Sequence, residues 1–124
     1  MTTIYELLSN KISLFKEVIQ LSYERSLFKK TSVEYKQKEI EIYEFLCNID
    51  YEDLKMIQTI MYIGQDSGPS KYESMLESYQ SMRNSFGSNQ ENHDSDAYAV
   101  SCKRPLHEFL GEGLNKLGFD IPHK

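Results

Sequence analysis

Apolar residues recur every three or four positions along most of the chain, and this spacing predicts α-helices. Thr3 and Glu6 form a capping-box pattern at the start of the first predicted helix, which runs as far as Leu27. Ser9-Asn10 offers a second possible start, which would divide this helix in two. The positions predicted to face inward are Ile4, Leu7, Leu8, Ile12, Phe15, Val18 and Ile19.

Two further helices are predicted around Asp50, and together they form a helical hairpin. Thr31 and Glu34 indicate the start of the second helix, and Asp50 is expected to cap the third. Gly64 is expected to end the third helix, because glycine adopts the left-handed conformation at low cost. The apolar faces of the two helices are Ile42, Phe45, Leu46 and Ile49, and Leu54, Ile57, Ile60, Met61 and Ile63.

The C-terminal half continues the helical pattern. A fourth helix is predicted from Ser70 to Phe86, an exposed loop over 87–94, a short helix capped by Asp94 or Ser95, and a last helix from Pro105. Apolar positions of the fourth and last helices are Tyr72, Met75, Leu76, Tyr79, Met82 and Phe86, and Leu106, Phe109, Leu110, Leu114 and Leu117, before Gly118. The pattern predicts an all-α fold, a single compact bundle of five or six helices with a central helical hairpin, in one domain over 1–124.

Composition and charge reduce the number of protein classes to which the chain could belong. The chain has 124 residues, 40% hydrophobic and 27% charged, and a net charge of -5. Because no Lys/Arg stripe is present, we expect no nucleic-acid binding. No apolar run approaches the roughly 18 residues of a membrane span and the N-terminus has no signal-peptide pattern, so we expect a cytoplasmic protein without membrane contact.

Catalytic and metal-binding motifs are weak. No two of His93, His107 and His123 have the spacing of helical zinc ligands, and His93 with Asp94 and Asp96 is interpreted as a solvated loop with helix caps. Cys47 and Cys102 are expected to be buried free thiols. No nucleophile elbow or phosphate-binding loop is present, so we expect no enzyme activity, cofactor or metal.

The clearest electrostatic feature is a base-free acidic stretch between positions 39 and 53. It is either a solvated face or a patch that steers a basic partner, and Tyr43 and Tyr51 beside it are expected to have exposed hydroxyls suited to an interface. The candidate partner-binding residues are Glu39, Glu41, Tyr43, Glu44, Asp50, Tyr51, Glu52 and Asp53.

Three functions are therefore compatible with the chain. The first is a protein-binding module, such as an immunity protein or antitoxin that neutralises a basic toxin. The second is a helical binder of a small-molecule or nucleotide-type ligand, with a site that a homodimer interface could enclose. The third is a hydrolase that uses one carboxylate of the acidic stretch, which would require that acid to be buried.

Two motifs resemble a family of small bacterial proteins named domain of unknown function 3775. They are IYEFLCNIDYEDLKMIQTIMYIGQD around Asp50 and PLHEFLGEGLNKLG near the C-terminus, and with a leading amphipathic helix they cover about Ile12 to Gly118. The family usually has a tryptophan near Tyr62 and a basic residue at Gln65, and this chain has neither. The resemblance implies a helical fold and carries over no activity.

Overall fold

The protein is helical throughout the part that the structure describes. This computed structural model describes residues 8–65, 79–80, 83–84, 93–103, 105–116 and 119. A 3-10 turn, Ser9–Lys11, precedes five α-helices in these residues, and no strand occurs among them. The helices are α1 (Ile12–Ser26), α2 (Val33–Asn48), α3 (Tyr51–Gln65), α4 (His93–Ser101) and α5 (Leu106–Lys116). The predicted all-α bundle is confirmed.

Contacts between the five helices close a ring. Helix α1 packs against α2 and α5, α2 packs against α4, and α3 packs against both α4 and α5. The helices joined at Asp50, α2 and α3, therefore make their main contacts with other helices. The ring encloses the fully buried side chains Phe15, Val18, Ile42, Leu46, Leu54, Ile57, Ile60, Ala97, Val100, Leu106, Leu110 and Leu114. The described residues predicted to face inward are buried, except that Ile12, Phe45, Ile49 and Phe109 are partly buried against this core. Helical periodicity places them on one side of each helix.

The most extensive contact joins α3 and α5, and two glycines make it possible. A β-carbon on Gly64 would overlap the backbone carbonyl of Phe109, and one on Gly113 would overlap the carbonyl of Ile60. The prediction that Gly64 ends the third helix is wrong, since the helix includes it and continues to Gln65. Gly64 is instead a point where two backbones meet.

Two of the predicted helix starts shift in the structure. Ser32, and not Thr31, caps α2, with its hydroxyl accepting a hydrogen bond from Tyr35 N at 3.1 Å. His93 and Asp94 belong to α4, so the predicted loop over 87–94 is wrong for its last two residues. Asp50 lies just before α3, and its carbonyl accepts a hydrogen bond from Leu54 N, as the carbonyl of an N-cap residue does.

Several predictions fall outside the described residues. They include the start at Thr3, most of the fourth helix, loop residues 87–92, and the helix end at Gly118. Tyr79 of the predicted fourth helix is described, and it is buried as expected. None of the described helices is long and apolar enough to cross a lipid bilayer.

Candidate functional site

The structure spreads the eight candidate residues over α2, the joint at Asp50 and the first turn of α3. Glu41, Glu44, Asp50 and Glu52 are exposed. The side chains of Glu39 and Asp53 are 21% and 14% exposed. Most of the acidic stretch is thus exposed, as both of its interpretations require.

Four of the six acids form ion pairs with lysine or arginine side chains of the described residues. Only Glu44 and Asp50 form no ion pair among the described residues. The four pairs are Glu39–Arg25 at 3.7 Å, Glu41–Lys38 at 3.6 Å, Glu52–Arg83 at 2.8 Å and Asp53–Lys11 at 3.1 Å. The two least exposed acids each lie beside a cation and not in an apolar pocket, so neither provides the isolated buried carboxyl that the hydrolase hypothesis needs.

The two candidate tyrosines differ in exposure. Tyr51 is only 8% exposed, so the prediction of an exposed hydroxyl is wrong for it. Its hydroxyl is buried with no hydrogen-bond partner among the described residues. Tyr43 is half-buried and packs edge-to-face on Tyr98, with ring centroids 6.2 Å apart. A hydrogen bond with Cys47 raises the pKa of the Tyr43 hydroxyl.

An open groove runs between α2 and α4, beside Tyr43. Its volume is about 510 Å³, within the range of roughly 300–1,000 Å³ typical of small-molecule sites. Its lining combines an aromatic and aliphatic wall with two lysines that form no ion pair among the described residues, Lys30 and Lys36. The lining residues are Lys30, Tyr35, Lys36, Glu39, Ile40, Tyr43, Tyr98 and Ser101.

The large exposed hydrophobic side chains of the described residues follow the same region. Ile40 and Tyr98 are 57% and 63% exposed and line the groove. Phe28 lines a smaller neighbouring hollow of about 240 Å³, which shares Lys30 and Tyr35 with the groove. Leu27 lies next to Phe28, and Val33 lies one heptad before Ile40 on α2. Clustered apolar exposure of this kind is typical of interaction surfaces.

A buried arginine, Arg25, contacts three residues of the groove lining, Tyr35, Glu39 and Ser101. Arg25 of α1 is 2% exposed, and its guanidinium donates to the carbonyls of Ser101 at 2.5 Å and Lys103 at 2.7 Å. The same group lies 3.7 Å from Glu39 and 5.5 Å from the ring centre of Tyr35. Arg25 therefore joins α1, α2 and the end of α4, where helix carbonyls lack partners within the helix.

A second buried polar contact holds the start of α5. Ser22 of α1 accepts a hydrogen bond from the backbone N–H of His107 at 2.9 Å, and its hydroxyl lies 2.9 Å from His107 Nδ1. The serine is 1% exposed. Because an N-terminal N–H of a helix needs an acceptor, Ser22 acts as a cap supplied from another helix. A serine hydroxyl beside an imidazole also occurs in nucleophilic enzymes. Here the hydroxyl accepts the backbone N–H of His107, which is the contact of a helix cap.

A buried lysine links α3 to α4. Lys55 is 3% exposed, and its ammonium lies 2.5 Å from Asp96 and 3.0 Å from the side-chain oxygen of Gln58. It also lies 5.4 Å from the ring centre of Tyr51. Asp96, interpreted from sequence as part of a solvated loop, is thus the counter-ion of a buried cation.

No sequence signal identified these buried polar residues. Ser22 and His107 are 85 positions apart and Arg25 and Ser101 are 76 apart, so neither pair has a local spacing. Lys55 stands in an amphipathic pattern where a lysine is normally interpreted as solvated. Tertiary packing alone determines these contacts.

The metal-ligating and thiol side chains of the described residues form no further site. The described residues contain no group of three or more His, Cys, Asp or Glu side chains placed to hold a metal ion. His93 Nε2 lies 3.1 Å from the carbonyl of Leu46. Cys47 and Cys102 are free thiols, and both are half-buried instead of fully buried.

Comparison of the chain with protein-family models, with curated proteins and with solved structures finds no match. The resemblance to domain of unknown function 3775 therefore stays a prediction from the two motifs. The described residues form an all-α helical bundle with an open groove between α2 and α4.

Proposed function

We propose that this chain is a cytoplasmic protein-binding module whose partner is basic, and that it acts as a stoichiometric inhibitor such as an immunity protein or antitoxin. One observation carries the proposal. Glu44 and Asp50 are exposed acids without an ion pair among the described residues, and Glu44 lies one helical turn after the exposed apolar Ile40. Unpaired surface charge steers association, and apolar area supplies affinity.

Asp50→Lys tests the proposal. Affinity capture from the native host, at low and moderate salt and followed by mass spectrometry, should recover a basic protein with the wild-type chain. Recovery with Asp50→Lys should fall several-fold, with the loss larger at low salt, where steering is strongest. Circular dichroism checks that the variant keeps its helices, because Asp50 also precedes the positive end of α3.

Glu17→Lys is the matched control. Glu17 is exposed on α1, forms no ion pair among the described residues, and undergoes the same change of charge. It should recover the partner as the wild type does. If Glu17→Lys and Asp50→Lys reduced recovery equally, overall charge and not the acidic surface would explain the binding. Recovery of no protein partner with the wild type would remove the proposal.

The inhibitor role has its own test. Co-expression of the chain with the recovered partner in a host that the partner harms should restore growth, and Asp50→Lys should restore it less. A partner that is harmless alone would contradict the toxin part of the proposal and leave protein binding intact.

A second candidate, binding of a nucleotide-type ligand, is favoured by the groove. Aromatic rings of Tyr43 and Tyr98 could contact a base, and Lys30 and Lys36 could receive phosphate. Calorimetric titration with mononucleotides should give binding that Lys30→Ala weakens and Lys16→Ala does not. The absence of heat with every nucleotide would remove this candidate.

A further inference from the structure

The outward face of α2 carries a pattern of side chains that the two candidate functions use only in part. Val33 and Ile40 are seven residues apart, and they are 75% and 57% exposed. Residues at spacings of three, four and seven share one stripe of an α-helix. Lys36 and Glu44 lie on the same stripe, one turn before and one turn after Ile40.

The charges on this stripe are arranged antisymmetrically about Ile40. Lys36 precedes Ile40 by four residues and Glu44 follows it by four. Both side chains are exposed, and neither forms an ion pair among the described residues. Turning the helix end over end about Ile40 therefore places its acid where its base was.

We infer that a second copy of this chain docks on the stripe, with the two α2 helices antiparallel and a twofold axis passing close to Ile40. In such an isologous contact, each residue meets the residue equally far from the axis on the other copy. Ile40 packs on Ile40 of the second copy, and Lys36 faces Glu44 of the second copy, twice. The inference goes beyond the proposed partner and does not depend on it.

Charge complementarity selects this arrangement over its alternative. A parallel pairing in the same register would set Lys36 against Lys36 and Glu44 against Glu44, and like charges at such positions repel. The antiparallel pairing has two attractions and no repulsion on the stripe. It also places another chain beside the open groove, next to Ile40.

The area of the stripe limits the strength of association. A stable dimer buries about 800 Å² per partner, and a single helix face of about three turns offers less. We therefore expect a weak dimer with a dissociation constant on the order of 100 μM. Such a dimer is detectable by sedimentation equilibrium over a range of protein concentrations.

Two complementary charge reversals test the inference. Lys36→Glu creates two repulsive contacts in its own dimer, and Glu44→Lys does the same. Each variant alone should dimerise about tenfold more weakly than the wild type. In an equimolar mixture, the heterodimer has two attractive contacts, so association should return to within about threefold of the wild-type value.

Lys16→Glu and Glu17→Lys supply the matched control. Both residues are exposed neighbours on α1 with no ion pair among the described residues, and each change alters net charge as its counterpart on α2 does. Alone or mixed, these variants should dimerise as the wild type does, within about twofold. Equal effects from the α1 and α2 reversals would overturn the inference.

Two further outcomes would overturn it. One is a wild-type chain that stays monomeric up to about 1 mM, well above the expected constant. The other is a mixture of Lys36→Glu and Glu44→Lys that associates no better than either variant alone. Lys36→Glu leaves Asp50 unchanged. Loss of self-association and loss of binding to the basic partner can therefore be told apart.

Discussion

The two sides of the helical ring are built differently. On one side, α3 and α5 meet through Gly64 and Gly113 with buried aliphatic residues between them. On the other, α2 meets α4 beside the polar contacts of Arg25, and Ile40 and Tyr98 stay exposed at an open groove. We call these the glycine side and the groove side. The first has no room for added atoms, and the second leaves apolar side chains exposed. Under the proposed function, stability and recognition would be divided between the two sides.

The largest expected effect tests how closely the glycine side is packed. Gly64→Ala combined with Gly113→Ala should destabilise the fold by about 4 kcal/mol, because both β-carbons would overlap backbone carbonyls that side-chain rotation cannot move. Alanine normally favours a helix over glycine, so the sign itself is diagnostic. Urea unfolding followed by circular dichroism measures the effect.

A control on the groove side sharpens this result. Gln37→Ala changes an exposed residue of α2 and should alter the free energy of unfolding by less than about 0.5 kcal/mol. If the double glycine variant were as stable as the wild type, α3 and α5 would not approach as closely as described.

The next effect concerns the polar contacts of the groove side. Arg25→Ala removes donors from the carbonyls of Ser101 and Lys103 and a cation from Glu39, all at low exposure. Since unpaired buried polar groups are costly, we expect a loss of about 3 kcal/mol, measured by urea unfolding. Arg25→Lys keeps the charge without the two-carbonyl geometry and should lose less. A cost of Arg25→Ala below about 1 kcal/mol would contradict this account.

These two sides also show where sequence reasoning succeeds. The apolar faces around Leu54 and Leu110 follow from helical spacing, because one face of each helix must be buried. The role of Gly64 does not follow from the sequence. A glycine near a helix end has the same local pattern whether it ends the helix or allows another helix to pack closely against it. The burial of Tyr51 was harder still to predict, because only the packing of distant helices determines it.

A pH-dependent effect involves Tyr79, which lies near Glu52 and Asp53 of α3. Burial raises the pKa of the Tyr79 hydroxyl from 10.0 to about 12, with Glu52 and Asp53 of α3 contributing in the same direction. The folded state thus keeps this proton where the unfolded state has released it. Stability should be fully present below pH 10 and fall as pH rises towards 12, by about 2 kcal/mol from this group.

Tyr79→Phe isolates that contribution. The variant lacks the hydroxyl, so its free energy of unfolding should fall less steeply than that of the wild type between these pH values. Lysines and other tyrosines titrate in both proteins, and the difference between the two slopes cancels them. Parallel slopes would mean that Tyr79 is more solvated than its 5% exposure indicates.

The smallest expected effect is that of Ile40→Ala, and it is compared with the same substitution at a buried isoleucine. Ile60 is fully buried on α3 and Ile40 is 57% exposed on α2. Ile60→Ala should cost about 3 kcal/mol through lost burial and an unfilled cavity, whereas Ile40→Ala should cost less than about 0.5 kcal/mol. In the inferred dimer, Ile40 packs on Ile40 of the second copy. Ile40→Ala should therefore weaken self-association several-fold although it leaves the stability of the fold almost unchanged. If Ile40→Ala destabilised the fold as much as Ile60→Ala, the groove side would be part of the core and the division between stability and recognition would fail.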